Sequence, residues 1–316
     1  MSRIVVALGG NALQKSSKDV SAKAQLKNCK NTAKAIVNLI ENNNEVIVVH
    51  GNGPQVGQIV STYEGMNAVD KSNLVMPFPE CGAMSQGYIG YHLQQSIRQE
   101  LKKRDINKQV ASIVTQVVVD KNDPAFNNPT KPVGSFFNED EAKKIIDEKG
   151  YIMKEDSGRG WRRVVPSPKP KSVVEEDIVR TLINDGHIVI TAGGGGVPVI
   201  EKENGDIEGV SAVIDKDFAA EKIAEIMDAD KLLILTAVEK VAINYNQPNR
   251  EDLSFMTIKE AEKYIKEGHF APGSMLPKVK AAVKFADSLN GRKTIITALD
   301  KVEEALMGKT GTVISK

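Results

Sequence analysis

Short apolar runs alternate with stretches of helical period along most of the chain, and this alternation predicts strands and helices in turn. Ile4–Leu8, Glu45–His50 and His187–Ala192 read as buried strands. After the first of them, Leu26, Cys29, Ala33, Ile36, Val37 and Ile40 recur at helical spacing. They stop at Asn42-Asn43-Asn44, residues that tolerate the left-handed turn ending a helix. Strand, glycine turn, helix, strand is the opening pattern of a parallel sheet. A helix is predicted over Cys81–Leu101 and a strand over Gln109–Val119.

The alternation breaks between Asp120 and Pro170. Prolines cluster at positions 124, 129 and 132 and again at 166, 168 and 170, around one short helix near Glu139–Glu148. Residues 121–170 therefore read as an excursion from the sheet, a small subdomain or lid within a single domain spanning 1–316. The pattern resumes with a helix at Val173–Asn184, a strand at Ile188–Thr191 and a hairpin within Ile200–Val210 about Asn204-Gly205. A helix over Ala212–Ala229, a strand at Leu232–Thr236 and helices at Ile258–Glu267 and Met275–Ser288 follow. The strand Thr294–Thr297, the helix Val302–Met307 and a strand at Thr312–Ser315 complete the pattern.

The three leading strands all run into glycine: Gly9-Gly10-Asn11, Gly51-Asn52-Gly53-Pro54 and Gly193-Gly194-Gly195-Gly196. Without Cβ atoms the main chain can approach a ligand closely and aim N–H groups at an anion. If these strands are parallel neighbours, the turns share the carboxyl end of the sheet, where open α/β sheets bind ligands. The alternative for any single turn is a tight strand-to-helix connection.

Composition narrows the partners. Across 316 residues, 42 basic side chains nearly cancel 41 acidic ones, so no overall field favours nucleic acid or a membrane surface. Anion recognition must be local. Two cysteines, Cys29 and Cys81, are too few for a disulfide framework, and a reducing, cytoplasmic setting fits. No apolar run approaches the length of a membrane span.

Several motifs fail on context. Gly308-Lys309-Thr310 resembles the end of a P-loop but has Glu303 where its leading glycine should stand. Gly51, Gly53 and Gly57 miss the dinucleotide fingerprint by one residue. Ala83-Met84-Ser85-Gln86-Gly87 mimics a nucleophile elbow without a strand before it. The four histidines show no metal-ligand spacing. Arg159, Arg162 and Arg163 around Trp161 read as a solvated face, with phosphate contact as the alternative.

Asp215-Lys216-Asp217 opens a helix shortly after the four-glycine turn. The two aspartates suit helix capping, but a lysine between carboxylates also suits phosphoryl transfer, which needs cations on the moving group and an anion to hold them. Lys278, in Gly273-Ser274-Met275-Leu276-Pro277-Lys278, is a second such cation at a loop-to-helix junction.

Together with His50–Gly57, Pro79–Gly87, Asn128–Gly134, Gly158–Arg162 and Val165–Pro168, these segments resemble those of the carbamate kinases, in the amino acid kinase superfamily. The resemblance spans nearly the whole chain. It implies a three-layer αβα sandwich with a central, mostly parallel sheet and a protruding subdomain. It further implies a homodimer that transfers phosphate between ATP and carbamate with Mg²⁺, in the arginine deiminase pathway, usually making ATP. By that resemblance Lys216, Lys278 and Lys131 meet the transferring phosphoryl group and Asp217 orients the lysines. Gly9, Gly10, Asn11, Gly51, Asn52, Gly53, Gly194 and Gly195 cradle carbamate and phosphate. The nucleotide lies against Thr236, Ala237, Val238, Tyr245, Gly273, Ser274 and Met275, Ala237 standing where some relatives carry aspartate. No metal ligands are assigned. The rivals are a superfamily kinase with another acceptor and a nucleotide-sensing module without turnover.

Overall fold

The structure, a computed structural model, describes residues 1–13, 19–156 and 158–316. In chain order, β1 (Arg3–Leu8) and the single-turn α1 (Gly10–Leu13) lead to α2 (Ala22–Glu41), β2 (Glu45–His50), α3 (Gly53–Val69) and α4 (Phe78–Lys103). Next come β3 (Val110–Ser112), β4 (Gln116–Val119), β5 (Lys131–Phe137), α5 (Glu139–Lys149), β6 (Met153–Glu155), β7 (Trp161–Val165) and β8 (Pro170–Val173). The second half holds α6 (Glu176–Asn184), β9 (Ile188–Ile190), β10 (Val197–Glu201), β11 (Ile207–Gly209), α7 (Lys216–Ile226) and β12 (Lys231–Thr236). It ends with β13 (Val241–Ile243), β14 (Glu251–Leu253), β15 (Phe255–Thr257), α8 (Ile258–Lys266), α9 (Met275–Ser288), β16 (Lys293–Ala298), α10 (Val302–Leu306) and β17 (Thr312–Ser315).

Eight strands form the central sheet in the order β15-β17-β16-β12-β1-β2-β9-β3. From β16 to β3 all pairings are parallel, and only β17 joins antiparallel. The period-two alternation of strand side chains sorts each strand between two cores. From β1, Val5 and Ala7 face a core built with α6, α7, α8 and α9, while Ile4, Val6 and Leu8 face another built with α2, α4 and α10. Helices thus cover both faces, as the three-layer expectation requires. The chain leaves β1 toward β2 and later returns to its other side as β12, so the strand order switches at β1, where such sheets open a crevice.

The glycine-turn strands β1, β2 and β9 are parallel neighbours. Three sequence-based boundaries need correction. Gln109–Val119 is two strands: β3 ends the central sheet, and β4 joins a second sheet ordered β11-β10-β4-β8. The crossover is held by side chains, since Gln86 Oε1 accepts from Thr115 N at 2.8 Å and the Thr115 hydroxyl meets that of Thr191 at 2.8 Å. Val173 closes β8 instead of opening a helix, and α6 starts at Glu176. The helix expected from Ala212 starts at Lys216, because the Asp215 carboxylate caps it by accepting from Asp217 N at 2.9 Å. α3 went unpredicted, although Pro54 sits in its first turn, where a missing N–H costs nothing. Within the excursion, β5, β7 and β6 form a separate antiparallel sheet beside α5.

Candidate active site at the carboxyl ends of the parallel strands

Close approach sets several of these glycines, whereas at Gly10 and Gly53 a Cβ would meet nothing within 4 Å. Gly9 gives its N–H to the Leu235 carbonyl at 3.2 Å, and a Cβ there would stand 2.7 Å from that oxygen. Gly51 likewise bonds to the Leu8 carbonyl, at 3.1 Å, and leaves room for the Lys216 stem, which a Cβ would touch at 3.4 Å. In the four-glycine turn, Gly193 packs on the His50 ring, Gly194 (φ +67°) on the Asn52 amide, Gly195 (φ +96°) on the Ile214 carbonyl and Gly196 (φ +84°) on Val117. A side chain at any of the four would collide with its neighbour. Gly195 N also bonds to the Ala192 carbonyl at 3.0 Å. The N–H groups of Gly9, Gly51 and Gly195 are therefore committed to the fold, and these residues act as spacers.

Gly10, Gly51, Asn52, Gly53, Gly194, Lys131 and Lys216 border one cavity of about 240 Å³. The Asn52 amide is fixed by donating to Ser85 Oγ at 2.8 Å, and that hydroxyl donates to the Gly82 carbonyl, which makes Ser85 a helix serine and not a nucleophile. His50 is buried, with Nδ1 2.9 Å from the Gly51 carbonyl. Burial holds its imidazole down at about 4, against a smaller upward pull from Gly51, so the ring is neutral near pH 7. The backbone of Asn11 lies in α1, while its side chain is outside the described residues.

The charged centre stands at the start of α7. Asp217, 2% exposed, takes Lys216 Nζ on one carboxylate oxygen and Lys278 Nζ on the other, the latter at 2.9 Å. α7 and α9 thus bring residues 61 apart in sequence onto one carboxylate. Burial alone would raise the Asp217 carboxyl, but the two ammonium groups outweigh it and bring it down to about 2. Burial lowers Lys216, an effect its carboxylate neighbours oppose and Lys278 reinforces. Lys131, at the start of β5, reaches back across the excursion to Asp215 at 2.6 Å. Asp215 therefore caps α7 and anchors a third cation, a pairing that local sequence pattern could not signal.

The nucleotide candidates are more scattered. Thr236 and Ala237, at the end of β12, border a groove of about 680 Å³ that α2 and α10 complete. Val238, Tyr245 and the Gly273–Met275 stretch do not line it. Tyr245 is exposed beneath the Arg250 guanidinium, and Gly273 and Ser274 form an exposed turn before α9, one helical turn from Lys278. Of the arginine group, Arg159 pairs with Asp156 in solvent at 2.8 Å, and Arg162 bonds Asp156 and the Gly134 carbonyl. Arg163 turns inward.

A doubly wound sheet with lysines gathered on a buried carboxylate above its glycine turns is an arrangement suited to phosphoryl transfer. The sequence profile of the amino acid kinase family matches residues 2–298, and the chain belongs to that family. Within it the chain sides with the carbamate kinases. It is 58% identical to a carbamate kinase of Clostridium perfringens over 99% of this chain and 100% of that one. With a carbamate kinase of Pyrococcus horikoshii the identity is 52%, over 99% of each. A solved carbamate kinase from Giardia lamblia bound to AMP-PNP superposes with a TM-score of 0.92 at 42% identity, covering 100% of this chain and 98% of that one.

Proposed function

We propose that this chain transfers a phosphoryl group between ATP and carbamate, giving ADP and carbamoyl phosphate. The observation that carries the reading is the convergence of Lys216 and Lys278 on Asp217 beside the glycine-lined cavity. Carbamate is already an anion, so in-line attack by its oxygen on the γ-phosphoryl group needs no general base. The lysines neutralise charge on the moving group, Asp217 fixes their positions, and no covalent intermediate is required. Gly10, Asn11, Asn52, Gly53 and Gly194 line the acceptor side, with Gly9, Gly51 and Gly195 shaping it. Thr236, Ala237, Val238, Tyr245, Gly273, Ser274 and Met275 receive the nucleotide. Residues 121–170 act as a subdomain that carries Lys131 to the phosphate.

Both Asp217 oxygens are taken by lysines, and Asp215 is taken by Lys131 and the Asp217 amide. Among the described residues no three His, Cys, Asp or Glu side chains converge as a metal cage. Mg²⁺ in this reading therefore enters on the nucleotide's phosphates. By likeness to carbamate kinases, the reading includes the ATP-forming direction, fed by carbamoyl phosphate from arginine breakdown. A cytoplasmic setting accords with two buried, unpaired thiols, and by likeness to carbamate kinases the reading includes a homodimer.

The test is ATP formation from ADP with carbamoyl phosphate as donor, run beside acetyl phosphate and acetylglutamyl phosphate. Preference for carbamoyl phosphate is expected. Equal or greater turnover with another acyl phosphate would reassign the acceptor.

A further inference from the structure

A second cavity, of about 310 Å³, lies between α3 and the excursion; it shares Val133 with the glycine-lined cavity but is bordered by neither Lys131 nor Lys216. On α3 it is bordered by Gly57, Ser61, Glu64, Gly65 and Ala68, one face at helical spacing on which Gly57, Ser61, Gly65 and Ala68 are small and leave the space open. Val60, Phe137, Ile145 and Met153 supply apolar walls.

The polar end is unevenly matched. Glu64 accepts the Tyr151 hydroxyl on Oε1 at 2.7 Å and Lys149 Nζ on Oε2 at 2.6 Å. Arg163 Nη1 stands 3.8 Å from Glu64 Oε1, beyond hydrogen-bond reach, with its side chain only 18% exposed. Its guanidinium lies 3.7 Å from the Tyr151 ring centroid, with Phe78 at 5.5 Å. The cation is thus packed against aromatic faces, Arg163 borders the cavity, and one carboxylate against two cations leaves this end net positive.

We propose that this cavity is a binding site for a small carboxylic acid with a flat aromatic body, its carboxylate on Arg163 and its ring against the apolar walls. The volume falls in the range of small-molecule sites, and Arg donates paired hydrogen bonds to a carboxylate. The site also joins two parts of the molecule. At its inner end α3 and β5 approach so closely that a Cβ on Gly57 would lie 3.0 Å from Gly134 Cα. An occupant would therefore brace β5, the strand that begins with Lys131.

The experiment is calorimetric titration of the full chain with 2-naphthoate and with its neutral analogue 2-naphthamide, a readout independent of the phosphotransferase reading. The acid is expected to bind about tenfold more tightly than the amide. Arg163→Met removes that preference. Gly65→Leu fills the space and abolishes binding of both; beyond its chain neighbours and the backbone of its own helix, no atom lies within 4 Å of a Cβ at Gly65, and the helical backbone accepts the change. Thermal unfolding confirms that each variant is folded. Equal affinity for acid and amide, no heat at millimolar probe, or undiminished binding to folded Gly65→Leu would overturn the proposal.

Discussion

Asp217 shows how burial and charge are set against each other at one residue. An isolated carboxylate would be costly at 2% exposure, and the two ammonium groups make the charge tolerable. Replacing Lys216 with alanine leaves Lys278 on the carboxylate, so the fold is expected to persist while turnover falls about 10²–10³-fold. Steady-state rates with carbamoyl phosphate and ADP check this, and near-wild-type turnover would remove Lys216 from the chemistry. His50 gives a different test. Its folded value of about 4 lies below the ordinary 6.5, so between those pH values the unfolded chain binds a proton that the folded chain refuses. The stabilisation is whole above pH 6.5 and declines as pH falls toward 4, by about 3 kcal/mol. His50→Asn keeps a donor for the Gly51 carbonyl and cannot titrate. Urea denaturation from pH 7 to pH 4 should show a smaller loss in the variant; parallel curves would refute the assignment.

At the scale of elements, α7 depends on Asp215 twice. One carboxylate oxygen caps the helix and the other holds Lys131 of β5. The two roles can be separated by substitution. Asp215→Ala loses the cap, costing about 1 kcal/mol, whereas Asp215→Asn keeps an accepting oxygen and loses only the charge. The asparagine variant should unfold at higher denaturant than the alanine variant while both lose activity, and matching denaturation midpoints would show that the cap is unimportant. The example also marks what could be read in advance. Val- and Ile-rich runs ending in glycine announce β1, β2 and β9, because buried parallel strands need continuous apolar sequence. Lys216 and Asp217 were legible because they share a helix start. The Lys131–Asp215 pair joins residues 84 apart, and what separates Arg163 from Arg159, burial against aromatic rings beside a cavity, has no mark in the local sequence. The break between β3 and β4 was hidden because the apolar sequence continues while Thr115 and Gln86 exchange bonds across helices and sheets.

For the whole molecule, the central sheet ends at β3, a three-residue strand beside α4. On α4, Met84 and Tyr91 lie seven residues apart on one face and are 38% and 58% exposed, and Val114, just beyond β3, is 51% exposed. Tyr91, Gln94, Arg98, Ser112 and Val114 border a shallow recess between them. An apolar face beside a sheet edge is one that a second copy can cover by two-fold symmetry, which turns the same patch to itself. The homodimer proposed above is assigned to this face. Tyr91→Arg sets like charges against each other across such an axis, and Arg98 of each copy adds to the repulsion. Analytical ultracentrifugation should find the wild-type chain at about twice its 34.3 kDa mass and the variant near that of one chain. Because the lysine centre belongs to a single chain, the variant should retain Asp217 with both its cations and a measurable turnover. A wild-type monomer would refute the dimer, and a variant that stays dimeric would move the interface to another face.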